Sequence, residues 1–200
     1  MTNSEVTVRV ARAADAEAIA LIYEPYVRET AITFDYEAPD AGEFASRIER
    51  TLEHYPFLVA ERNGRVAGYA YASTFKDRAA YDWACETSVY VDMSERKTGV
   101  GKALYQALEA ALGLMGVTNL NACIGYPAKP DEHLDLNSVE FHEHLGYAWV
   151  GRFHRCGYKF GCWYDMVWME KEIAPHPDSP APVRPFSEVR KAFCKKIGRP

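Results

Sequence analysis

The sequence predicts an α/β fold, a mixed sheet with helices on both faces. Three observations carry that expectation. Strand-type and helix-type patterns alternate along the chain in the order β-α-α-β-β-β-α-β-α-β-β. Three strands run in succession in the middle, which a purely doubly wound parallel sheet does not allow. With 200 residues, 48% of them apolar and 26% charged, the chain can fill one core without disulfide or metal support.

Each element follows from a local pattern. Residues 6–10 alternate as a first strand. Asp15 is placed to cap a helix over 16–29, with Ala18, Ile19, Ile22 and Tyr26 as its apolar positions, and Pro25 is expected to kink or end it. Residues 30–34 read as an apolar loop or short strand. Phe44, Ile48 and Leu52 recur at every fourth position and predict a helix over 40–54. Strands at 57–61 and 66–75 flank Asn63-Gly64, a dipeptide suited to a two-residue hairpin turn. A strand over 84–91 leads through a glycine-containing turn at 96–101 into a helix over 102–115. Then come a strand over 119–126, a loop over 127–135 and a short helix over 137–144 stopped at Gly146. Strands over 147–155 and 163–172 complete the body. Pro175, Pro177, Pro180, Pro182 and Pro185 mark the rest as extended. The expected organisation is a domain over 1–173 and a Pro-rich basic tail over 174–200.

Charge and composition narrow the partners. The net charge is −5, which argues against nucleic acid; it divides into +4 for the tail and −9 for the body, and a solvated tail is the simplest expectation. The longest apolar run, 110–117, falls far short of the roughly 20 residues of a membrane span. The first residues lack a basic-then-apolar signal, so a cytoplasmic protein without a membrane partner is expected. The 5 cysteines (Cys85, Cys123, Cys156, Cys162, Cys194) contain no CxxC pair, which excludes a disulfide framework and a zinc ribbon. No metal is expected, and the loop bearing Asp131, Glu132, His133 and Asp135 reads as a solvated acidic segment.

The chemistry concentrates where the 84–91 strand turns into a helix. Gly99 and Gly101 allow close approach of a ligand to the backbone, and the first N–H groups of a helix have no internal acceptor. With Arg96, Lys97 and Lys102 alongside, the turn is suited to a phosphate or pyrophosphate. It is not a Walker A loop, because Arg96 stands at the first glycine position and Ala103 follows Lys102. It is not a Rossmann loop either, because Ala103 and Leu104 follow the Gly-x-Gly.

The Arg-x-x-Gly-x-Gly turn after Val89-Tyr90-Val91 resembles the coenzyme-A loop of the GNAT N-acetyltransferase family. Tyr55 to Glu61, Ala79 to Trp83, Glu86 to Val91, His142 to Tyr147 and Gly157 to Gly161 resemble, in the same order, its phosphinothricin acetyltransferase branch. The resemblance implies a GNAT fold with a mixed, mostly antiparallel sheet. It implies an enzyme that uses acetyl-CoA to acetylate the α-amine of a small amino acid of the phosphinothricin, methionine sulfoximine or methionine sulfone class. It also implies a homodimer, which the aromatic-rich final strands (Trp149, Phe153, Tyr158, Phe160, Trp163, Tyr164) suit. Val89, Tyr90, Val91, Arg96, Lys97, Thr98, Gly99, Val100, Gly101, Lys102 and Asn137 are then the coenzyme-binding candidates. A backbone N–H of the 89–91 strand would stabilise the oxyanion where the strand splays from its neighbour.

Acetyl transfer needs a neutral amine, and an α-amine titrating near 7.7–8.0 arrives largely protonated. A general base must take that proton. Glu86 stands at the family's catalytic Glu position. His142 stands where this branch carries His in place of the usual Tyr, as an acid or second base, and Tyr105 is an alternative partner for the departing thiolate. Lys76, Arg78 and Tyr81 match positions suited to an anionic amino-acid acceptor, and Phe34 matches an aromatic that closes the pocket. Two departures stand out. Asp135 replaces a family Asn, leaving Asn137 to substitute, and the loop at 127–134 is longer. Two other readings remain open here: acetylation of protein N-termini or polyamines, and a non-catalytic acyl-CoA-binding module.

Overall fold

The computed structural model describes residues 5–198. Among these, seven strands form a single sheet. They are Thr7–Val10 (β1), Phe57–Arg62 (β2), Arg65–Thr74 (β3), Ala84–Val91 (β4), Asn119–Tyr126 (β5), Ala148–Lys159 (β6) and Cys162–Glu172 (β7), in the order β1-β2-β3-β4-β5-β7-β6. Every neighbouring pair is antiparallel except β4 with β5. Ala16–Glu29 (α1) and Ala41–His54 (α2) cover one face; Val100–Met115 (α3) and Phe186–Lys196 (α5) cover the other. The short helix Asn137–His144 (α4) precedes β6.

Alternation in the central strands explains the two layers. Phe57, Val59 and Tyr69 pack on Ile19, Ile22, Phe44 and Ile48, whereas Leu58, Ala60 and Ala70 pack on Leu104, Leu108 and Leu112. The β2–β3 hairpin turns on Asn63 (φ 53) and Gly64 (φ 76), the left-handed pair that a two-residue turn requires. Asp40 caps α2 by accepting from Glu43 N at 2.8 Å.

Several boundaries depart from expectation. Pro25 neither ends nor interrupts α1, which runs on to Glu29. Asp15 does not cap α1 with its side chain; its carboxylate instead pairs with Arg9 at 2.7 Å. Residues 30–34 take the loop form of the two expected, whereas α3 starts at Val100, not Lys102. The largest departure lies in the expected tail. Its proline-rich half is extended, but 186–196 forms α5, and Phe186, Val189 and Phe193 are buried in the main core. Their i, i+3, i+7 spacing after Pro185 is a helical stripe that the proline count obscures.

Candidate active site

The site begins where the sheet opens. β4 pairs with β5 only at Ala84 with Asn119, Cys85 with Leu120 and Glu86 with Asn121. Beyond Glu86 the two strands diverge, and a cleft of about 560 Å³ lies between Thr87–Val91 on one side and 122–125 on the other. Thr87 Oγ1 donates to Asn121 O at 3.2 Å across its floor. Tyr26 Oη accepts from Val91 N at 3.3 Å and donates to Val91 O at 2.6 Å, so these groups of Val91 point away from β3. By the two-residue period of an antiparallel ladder, the N–H of Val89 points the same way, into the cleft, while Tyr90 exchanges hydrogen bonds with Tyr69 of β3.

The turn into α3 forms one end of the cleft. Lys97 (φ 62) and Gly99 (φ 93) are left-handed, and they swing the start of α3 toward the opening. Gly99 offers no side-chain cap, so the N–H groups that open the helix remain available to a ligand. Arg96, Lys97, Gly99, Gly101 and Lys102 line the cleft. The three cations form no ion pair among the described residues. A Cβ at Gly101 would lie 3.1 Å from Phe141 Cζ, so this glycine lets α3 and α4 close together. Two predicted residues do not present side chains here. Thr98 Oγ1 donates to Glu95 O at 2.7 Å, and Val100 is fully buried. Asn137 lines the cleft, but its amide nitrogen donates to Asp135 Oδ2.

Tyr105 and His142 meet at the inner wall. His142 Nδ1 donates to Ser138 O at 2.6 Å, which assigns the ring proton to that nitrogen, because a carbonyl can only accept. Nε2 therefore accepts from the Tyr105 hydroxyl at 2.8 Å. Burial pushes the imidazole down to about 4, so it is neutral at pH 7. This revises the role that the resemblance offers. A neutral ring with both nitrogens engaged is no acid; it orients Tyr105. Burial also pushes the Tyr105 phenol up, so this hydroxyl keeps its proton. The Thr87 and Tyr147 hydroxyls complete the cluster, 3.3 Å apart.

Glu86 occupies the other face of β4, opposite Ser73, at the last residue paired to β5. Burial raises its carboxyl above the ordinary value, and the charge of Lys76 partly offsets this. Lys76 Nζ stands 4.9 Å from the Phe75 ring centroid and 5.7 Å from that of Trp168, and Tyr81 packs edge-on against Phe75. Trp168 and Phe75 escaped the sequence reading, since nothing distinguishes them there from core aromatics. Arg78 is exposed on the same segment, with no side-chain hydrogen bond or ion pair among the described residues. Phe34 packs over Gly157 and against Tyr164. Cys85 faces the α3 side and is fully buried, which raises its thiol so that it stays protonated at neutral pH, whereas Cys123 is exposed on the cleft wall.

The loop at 127–135 is less solvated than its composition suggests. Asp131 accepts from His133 N, Leu134 N and the Tyr164 hydroxyl, all at 2.8 Å. The His133 ring stacks on Phe160 at 3.9 Å. Among the described residues no His, Cys, Asp and Glu side chains are grouped to hold a metal, and no helix is long and apolar enough to cross a membrane.

Comparison with known proteins agrees with this geometry. The profile of the acetyltransferase (GNAT) domain matches residues 8–168. The chain is 37% identical to a phosphinothricin N-acetyltransferase of Streptomyces viridochromogenes, over 92% of this chain and 96% of that protein. It is 30% identical to an L-methionine sulfoximine/L-methionine sulfone acetyltransferase of Salmonella typhimurium, over 87% of this chain and 99% of that one. Its fold superposes with a TM-score of 0.78 on a phosphinothricin acetyltransferase from Sinorhizobium meliloti solved in complex with acetyl-CoA. That pair is 31% identical, over 90% and 98% of the two chains.

Proposed function

We propose that this chain, which belongs to the GNAT acetyltransferase family and is an acetyl-CoA-dependent N-acetyltransferase, acetylates the α-amine of a small amino acid or analogue of the phosphinothricin, methionine sulfoximine and methionine sulfone class, with Glu86 as general base. The observation that carries the reading is the opening of the sheet just beyond Glu86. Glu86, whose carboxyl burial raises, is the last residue paired to β5, and the cleft that begins at the next residue, Thr87, has a cationic helix N-terminus in its wall.

Acetyl-CoA, when bound, supplies the thioester carbonyl. The free N–H groups that open α3, with Arg96, Lys97 and Lys102, suit its pyrophosphate. Glu86 takes the proton from the incoming ammonium group and frees its lone pair for direct attack. The Val89 N–H donates to the carbonyl oxygen as negative charge develops there. The attacking nitrogen loses its second proton as the C–S bond breaks and the departing thiolate takes one up; for Tyr105 to assist, its single hydroxyl proton turns from His142 Nε2 to the sulfur. Direct attack requires no cysteine nucleophile, and Cys85 is buried behind the sheet.

Lys76 and Arg78 are the cations for the acceptor's acidic groups, supported by Lys76 acting on Glu86 and by the exposure of Arg78. Lys76→Ala and Arg78→Ala are each expected to raise the acceptor KM about tenfold, the worth of one charge-assisted hydrogen bond, with the acetyl-CoA KM unchanged. Acceptor KM values equal to wild type in both variants would contradict the reading. Arg96→Ala combined with Lys102→Ala is expected to do the reverse, raising the acetyl-CoA KM about tenfold or more, with a gap to wild type that narrows as salt is added.

The same reading makes the protein a cytoplasmic homodimer. Support for the interface comes from the outer hairpin, where Trp149, Val150, Phe153, Tyr158 and Trp163 are exposed.

A further inference from the structure

Gly157 to Gly161, singled out in the sequence, have no part in the chemistry above, yet they grip one neighbour. That neighbour is the 30–36 segment joining α1 to α2. Lys159 is 3% exposed, and its Nζ donates to Thr30 O and Thr33 O, each at 2.8 Å. Tyr158 O accepts from the Tyr36 hydroxyl. A Cβ at Gly157 would fall on the Phe34 ring, so only glycine lets that ring lie where it does.

The held segment borders the cleft. Ile32 lines the cleft, and Ala31 O sits so close to cleft-lining Gly125 that a Cβ there would approach it to 2.8 Å. Asp35 accepts from the Tyr23 hydroxyl at 2.8 Å. Burial disfavours the ammonium form, the charge of Asp35 offsets this only in part, and no carboxylate forms an ion pair with Lys159 among the described residues. An apolar side chain would fill the space without that cost. What the lysine alone supplies is donors for two carbonyls of a segment that has no helix or strand of its own.

We propose that Lys159 is a positioning residue of the acceptor site: it fixes the 30–36 segment and, through it, Phe34. The inference rests on the acceptor reading above. Lys159→Met is expected to raise the KM for methionine sulfone about tenfold and leave the acetyl-CoA KM within about twofold. Tyr36→Phe alters a largely exposed ring, folds as wild type, and loosens the same segment; a rise in acceptor KM of about threefold is expected. In a Phe34→Ala background, Lys159→Met should add less than about twofold, because its effect passes through that ring. An undiminished effect in that background would overturn the proposal. So would equal rises in both KM values, or unchanged acceptor KM in both Lys159→Met and Tyr36→Phe. A wild type inactive on phosphinothricin and methionine sulfone is a different failure, that of the function, visible before any variant is made. Amide exchange over 30–36 needs no substrate and reads the positioning in that case. Faster exchange in Lys159→Met supports it; unchanged exchange overturns it.

Discussion

Glu86→Gln is expected to lower kcat by about 100-fold, the lower range for loss of a positioned base, with little change in the acetyl-CoA KM. The amide keeps the shape of the side chain and cannot accept the amine's proton. The pH profile provides the sharper reading. Burial raises the Glu86 carboxyl, so its acid form persists to higher pH than an ordinary carboxyl. The base must be ionised, so activity is lost as pH falls through that raised value. The acid limb of kcat/KM in wild type should therefore lie above the ordinary glutamate value of about 4.3, and it should vanish in Glu86→Gln. Loss of the limb in Glu86→Gln separates Glu86 from His142, whose ring is shifted down by burial and whose two nitrogens are both engaged. A water relay in place of direct contact would shrink the loss in kcat but leave the limb in place.

The second large effect concerns stability. Phe186 and Phe193 of α5 are fully buried and in ring contact at 5.7 Å. They belong to the same core as Leu104, Leu108 and Leu112 of α3. Phe193→Ala is expected to destabilise the fold by about 3–5 kcal/mol, through lost transfer energy and the cavity left behind. A urea titration checks this, with the midpoint falling at unchanged slope. A loss near zero would mean that 186–196 does not pack on α3 in solution. No residue of α5 lines the cleft, so kcat of the folded fraction should be retained.

Local chemistry made most of this legible in advance. Alternation along β4 separated Glu86 from Cys85, and the structure puts them on opposite faces. Asn63-Gly64 announced its hairpin, and the Gly-x-Gly turn announced an anion-suited helix start. What escaped depends on tertiary partners. Tyr26 looks like any apolar helix residue until its hydroxyl is seen holding both polar groups of Val91. Lys159 looks solvent-bound in a strand of exposed residues until two carbonyls 126 or more positions away are placed on it. His142 looks like an acid until burial and Ser138 O assign its proton. The α5 helix was hidden by the prolines before it, which end at Pro185.

The measurement that tests the account most directly is thiol release from acetyl-CoA across a panel of amines. Phosphinothricin, methionine sulfone, ordinary amino acids, polyamines and peptides would be compared at equal concentration. Turnover is expected with phosphinothricin and methionine sulfone and not with the other amines. Turnover confined to polyamines or peptide N-termini, or none with any amine despite measurable acetyl-CoA binding, would contradict it.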